Sequence, residues 1–147
     1  MNKKVVLRIL ATAIVLTVIV YIFHSIFAFV GMKYYLMEEY FPVWSKLTMP
    51  TAGPPPMSFT FYSLGFGFVG WVLFTGGYLL VRKSIPGKTL IKKGLAYGLF
   101  IFLVGAIPGY LAMILLINLP LTLVVLWMFE SLVINLVSGI VVAKMNK

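Results

Sequence analysis

Four runs of this chain, at about 5–30, 59–81, 94–117 and 121–143, are apolar over lengths that elements of water-soluble domains seldom need. An α-helix rises 1.5 Å per residue, so about 20 apolar residues cross a hydrocarbon core about 30 Å thick. Lipid offers no partner to a backbone N–H or C=O, and a spanning segment therefore closes its hydrogen bonds within itself as a helix. The runs predict an all-α integral membrane protein, with four transmembrane helices in one antiparallel bundle and a single membrane domain over residues 1–147. Composition bears on this at one point: charged residues are 10% of the chain and its mean hydropathy is +1.08, whereas soluble domains are about a quarter charged. The first run follows "MNKK", as a signal peptide would, but it is longer than the apolar segment of a signal peptide and shows no clear cleavage site. A retained first helix is expected.

The charges sort by loop. Lys3, Lys4 and Arg8, the loop residues Arg82, Lys83, Lys88, Lys92 and Lys93, and Lys144 and Lys147 all fall on one side of a four-span arrangement, ten of the 12 basic residues. Lys33 and Lys46 fall on the other, offset by Glu38 and Glu39. Because cytoplasmic loops hold the excess of Lys and Arg, both termini are expected in the cytoplasm, with the chain multi-pass in a plasma-type cell membrane. Three or five spans would mix the two sets. The basic loop 82–93 also suits anionic lipid headgroups.

The stretch 31–58 is the one sizeable segment outside the spans. Tyr34, Tyr35, Tyr40, Phe41 and Trp44 are of the types that settle at headgroup level. A short interfacial helix up to Glu39 is expected, ended by Pro42, and "PTAGPPP" at 50–56 predicts a stiff polyproline-like connector.

Several apparent motifs carry no chemistry. "GFGFVG" at 65–70 matches a dinucleotide fingerprint, but it lies inside an apolar span instead of between a strand and a helix. "PGKT" at 86–89 lacks the first glycine of a phosphate loop, since position 82 is Arg. One histidine, three glutamates and no cysteine leave no metal-ligand spacing and predict neither a metal nor a cofactor. The basic residues have no soluble face on which to present nucleic acid. The small residues carry more. Gly67, Gly70 and Gly77 on the second run, and Gly98, Gly105 and Gly109 on the third, form stripes that allow close helix approach, which drives association in lipid. Pro108 interrupts the third helix by removing the bond to the Val104 carbonyl.

The residue that stands out is Glu130, inside the fourth run. Counted at 1.5 Å per residue from Leu121, it lies ~14 Å below one hydrocarbon edge, near the midplane. An unpaired charge there costs roughly 2.5–3.5 kcal/mol, so the helix face bearing Glu130, Ser131 and Asn135 should point into the bundle. The same count brings Tyr21 and His24 of the first helix, Gly67 to Trp71 of the second and Pro108 to Tyr110 of the third to this depth. Glu130, Tyr21, His24, Ser131, Asn135 and Tyr110 form the candidate intramembrane polar site, with Tyr21 or His24 as partner of the acid. Glu130 then accepts a proton or cation, or serves as a protonated hydrogen-bond pin between helices one and four, or pairs with a basic residue of another subunit. Three function classes follow. The first expectation is a non-enzymatic accessory or interaction subunit that packs on itself or on another membrane protein. The second is a small oligomeric transporter or channel that uses Glu130 for proton or cation coupling. The third, a lipid-directed enzyme, requires His24 within reach of a carboxylate.

Overall fold

The computed structural model describes residues 2–49 and 55–147; 82% of these described residues are helical, and none is in a strand. Helix α1 spans Lys3–Tyr35, α2 Met57–Val81, α3 Leu90–Ile101, α4 Ile107–Leu116 and α5 Leu121–Met145. A 3-10 turn, Glu38–Val43, follows α1, and a π turn, Phe102–Ala106, joins α3 to α4. Together α3, the π turn and α4 make one segment, Leu90–Leu116, so four helices are long and apolar enough to cross a membrane.

Local sequence explains the helix starts. The Asn2 side chain accepts from the Lys4 N–H, and the Thr89 hydroxyl accepts from the Lys92 N–H, each satisfying one of the free donors of a first turn. Pro56 and Pro120 precede α2 and α5 in extended backbone, where the missing N–H of proline is no loss. Gly87, at φ 137°, turns the chain into α3 in a conformation that L side chains rarely adopt.

The π turn has a direct cause. Pro108 cannot donate to the Val104 carbonyl, and its ring crowds that oxygen. The helix responds by widening one turn ahead of the proline, and the Ile107 N–H reaches back to the Phe102 carbonyl.

Two helix pairs result. The contact of α3 with α5 is the most extensive, followed by α1 with α2; α1 against α5 joins the pairs, and α2 barely meets α5. In the half of the bundle that holds both termini, the helices touch backbone to backbone. A Cβ on Gly94 would come within 2.6 Å of the Gly139 carbonyl oxygen, and one on Gly98 would fall on the Asn135 carbonyl. Leucine burial gains little in lipid, so such close approach is how these helices gain contact energy.

The Tyr97 ring stands edge-on to Phe74 and Tyr78, with centroids 4.9 and 5.3 Å away, and its hydroxyl donates to the Phe74 carbonyl at 2.7 Å. Leu16, Val142 and Ala143 complete this core. At its end, the Asn146 amide donates to the Thr12 hydroxyl at 3.1 Å, while Arg82 donates to the Asn146 carbonyl at 3.2 Å. These two bonds tie α1, α2 and the end of α5 together. Of the basic loop, Lys83, Lys88 and Lys92 are exposed.

Several expectations are corrected. Helix α1 continues past residue 30 to Tyr35, absorbing most of the expected interfacial helix; the short 3-10 turn comes after it and contains Pro42 instead of ending there. The fixed φ of proline suits 3-10 backbone, and the turn loses one N–H donor only. There the Tyr40 hydroxyl is held above the usual phenol range, chiefly by its hydrogen bond to Glu39. Of the connector expected at 50–56, only Pro55 and Pro56 lie among the described residues; Pro56, at φ −70° and ψ 166°, has polyproline-type backbone.

The close contacts expected along both glycine stripes are made only in part. Gly98 packs against α5, and a Cβ on Gly77 would meet the Tyr97 hydroxyl at 2.8 Å. A Cβ on Gly70, Gly105 or Gly109 would meet nothing within 4 Å, and one on Gly67 only Trp71. Pro108 is exposed as well. Gly105 and Gly109 face away from the other described helices because the stripe on Leu90–Leu116 changes direction at the π turn.

Candidate functional site

In the half of the bundle opposite the termini, the two helix pairs diverge around a cavity of about 470 Å³. Helix α5 supplies one wall, because Trp127, Glu130, Ser131, Ile134 and Asn135 recur at helical spacing on one face. Facing it are His24 and Tyr35 of α1, Phe59, Ser63 and Trp71 of α2, and Tyr110 of α4.

Glu130 and His24 meet at the centre. The imidazole Nδ1 lies 2.5 Å from Glu130 Oε1; the glutamate side chain is 7% exposed and that of the histidine 57%. A buried carboxylate alone would be costly, and the imidazole offsets that cost. Holding an added proton, as carboxyl with imidazole or carboxylate with imidazolium, the pair has no net charge; as carboxylate with neutral imidazole it carries one negative charge. The pair is also one of the polar links between α1–α2 and α3–α5, with the Trp127–Tyr35 bond beyond it. Its exposed partner borders a second, smaller cavity of about 80 Å³ that continues between α1 and α2 towards Thr17.

The other predicted residues divide. Ser131 and Asn135 line the large cavity, but the Asn135 amide donates to the Ser131 carbonyl at 2.8 Å and to its hydroxyl at 3.3 Å, so it bridges within α5 and not to another helix. The Tyr110 hydroxyl donates to the Trp127 carbonyl at 3.0 Å, fastening α4 to α5 at the rim. Tyr21 is corrected: it is 41% exposed, borders the small cavity and does not bond Glu130. Tyr21 and His24 stand three residues apart on α1, and only the histidine is on the turn that faces Glu130.

At the cavity's open end, Trp44 folds back from the loop onto Tyr35 and Trp127, with centroids 5.2 and 6.2 Å away, and the Trp127 indole donates to the Tyr35 hydroxyl at 3.2 Å. This aromatic group joins the loop to α1 and α5. Sequence reasoning placed Tyr35 and Trp44 at a headgroup interface and passed over Phe59 and Ser63. Depth pointed to Trp71 only, which falls at the Glu130 level by residue count; Phe59 and Ser63 lie about two to three turns nearer the distal end of α2.

The nearness of His24 to a carboxylate meets the one requirement set for an enzyme. Among the described residues no Ser, Thr or Tyr hydroxyl is hydrogen-bonded to His24. The described residues also hold no cluster of three or more metal-ligating side chains. Compared with protein-family models, with curated proteins and with solved structures, the chain matches none.

Proposed function

We propose that this chain is a small multi-pass membrane transporter, with both termini in the cytoplasm, in which the protonation of His24–Glu130 controls passage through the distal cavity. One observation carries the reading: a buried acid, bonded to an exposed histidine, sits on the wall of a cavity and links the two helix pairs that would have to move apart. Intramembrane ionisable groups at such positions mark proton and ion paths. The basic loop 82–93 would then lie against the anionic lipid of the cytoplasmic leaflet.

Liposomes containing the protein and a pH-sensitive dye test this when challenged with a pH gradient and with gradients of inorganic and organic cations. Proton movement is expected under at least one gradient with the wild type and under none with Glu130→Gln at unchanged assembly. No movement with the wild type, or the same movement with Glu130→Gln, overturns the reading.

A second reading, an accessory subunit that packs on a copy of itself or on another membrane protein, is favoured by a different observation. Gly70, Gly105 and Gly109 leave room for a helix that the chain itself does not supply. The two readings are compatible if transport needs an oligomer.

A further inference from the structure

The geometry points to a bulky, lipophilic, monovalent organic cation as the occupant of the distal cavity, bound on Glu130 in exchange for the proton of the His24–Glu130 pair; this rests on the transport reading above. The cavity wall holds one acid and no Lys, Arg or Asp among the described residues, so the one group that could face an anion, a His24 imidazolium, is already paired with Glu130. Five aromatic rings line it, those of Tyr35, Phe59, Trp71, Tyr110 and Trp127. Ring faces attract cations, most strongly in a desolvated setting. An inorganic ion would instead want several oxygen ligands converging on it; the described residues hold no group of three or more His, Asp or Glu side chains, and the Tyr35, Tyr110 and Ser131 hydroxyls of the lining are already hydrogen-bonded to neighbours. The volume, about 470 Å³, lies within the range that takes drug-sized ligands.

Charge balance sets the exchange. With its shared proton the pair is neutral, and adding a cation would bury one uncompensated positive charge. Release of the proton leaves carboxylate and neutral imidazole, whose single negative charge balances the cation. The proton departs through His24, whose ring borders both cavities. The other titratable groups facing the pair are phenols, Tyr35 from α1 and Tyr110 from α4, with Tyr21 in the adjoining small cavity; α2 adds none. Phenols are uncharged near neutral pH, so no second group takes over the exchange.

Equilibrium dialysis of tetraphenylphosphonium against the protein in nanodiscs, with empty nanodiscs subtracted, tests the inference. Saturable binding is expected, with one proton released per cation in weak buffer and affinity rising up to about tenfold per pH unit on the acid side. Glu130→Gln should weaken binding by about a hundredfold and remove its pH dependence. Trp71→Leu should weaken it about fivefold and keep the pH dependence. If Glu130→Gln does not assemble, the proton count and Trp71→Leu decide alone. Absence of saturable binding, binding without proton release, or equal binding by Glu130→Gln overturns the inference. Proton movement driven only by inorganic ions would sink the cation while leaving transport standing. Binding with proton release but no flux would do the reverse.

Discussion

In the half of the bundle near the termini, α3 and α5 approach until Gly94 and Gly98 touch the opposing backbone; in the distal half, α4 meets α5 less extensively, and α5 forms one wall of a cavity faced mainly by α1 and α2. The same two segments thus pack in two ways, and the difference follows from where the small residues point. Where glycines face a neighbour, dispersion contacts between backbones hold the helices. Where they face outward, side chains make the connection: the buried Leu123 and Val124 of α5, Phe27 against Phe129, and the bonds of His24 to Glu130, Tyr110 to the Trp127 carbonyl and Trp127 to Tyr35. A rigid end and a separable end are what gated access to a buried acid requires.

The contrast can be broken most severely at its tightest point. Gly98→Leu should cost about 3 kcal/mol or more, or prevent assembly, because the side chain would displace the α5 backbone; unfolding in mixed detergent measures it. A smaller effect is expected at Gly77, where Gly77→Ala drives a methyl group onto the Tyr97 hydroxyl. The loss should be about 1–2 kcal/mol and should shrink when Tyr97→Phe removes that oxygen, in a double-mutant cycle read by the same unfolding. Tyr97→Phe alone forfeits one interhelical hydrogen bond, about 0.6 kcal/mol on average in lipid. At the open end, Gly105→Ala and Gly109→Ala should be neutral or stabilise by up to about 1 kcal/mol, since alanine favours helix and nothing crowds it. Chemical crosslinking of these last variants separates the readings, because a loss of oligomer without loss of monomer stability would place a partner helix there.

How much of this was legible depended on which physical term decided each feature. The four spans follow from hydropathy and length, which act locally. The nearness of His24 and Glu130 was within reach of depth counting, because helices in lipid share a fixed frame of length. The choice of His24 over Tyr21 was not, since it turns on the rotation of α1, which depends on its packing with α5. Pro108 marked an interruption of the third span in the sequence, but not the rotation that follows from it: the π turn ahead of Pro108 turns Gly105 and Gly109 away from the face of Gly98. The bonds of Asn146 to Thr12 and of Arg82 to the Asn146 carbonyl had no sequence signal, since they join residues far apart in the chain.

The natural absence of cysteine permits a direct test of the claim that one half is open and the other closed. Ser131 lines the cavity, and Ser138, two turns along the same helix, is fully buried in the packed half. In proteoliposomes, Ser131→Cys should react with a membrane-impermeant methanethiosulfonate applied from the face opposite the termini, while Ser138→Cys should not react from either face. Equal reactivity of the two, or protection of Ser131→Cys from both faces, would contradict the account.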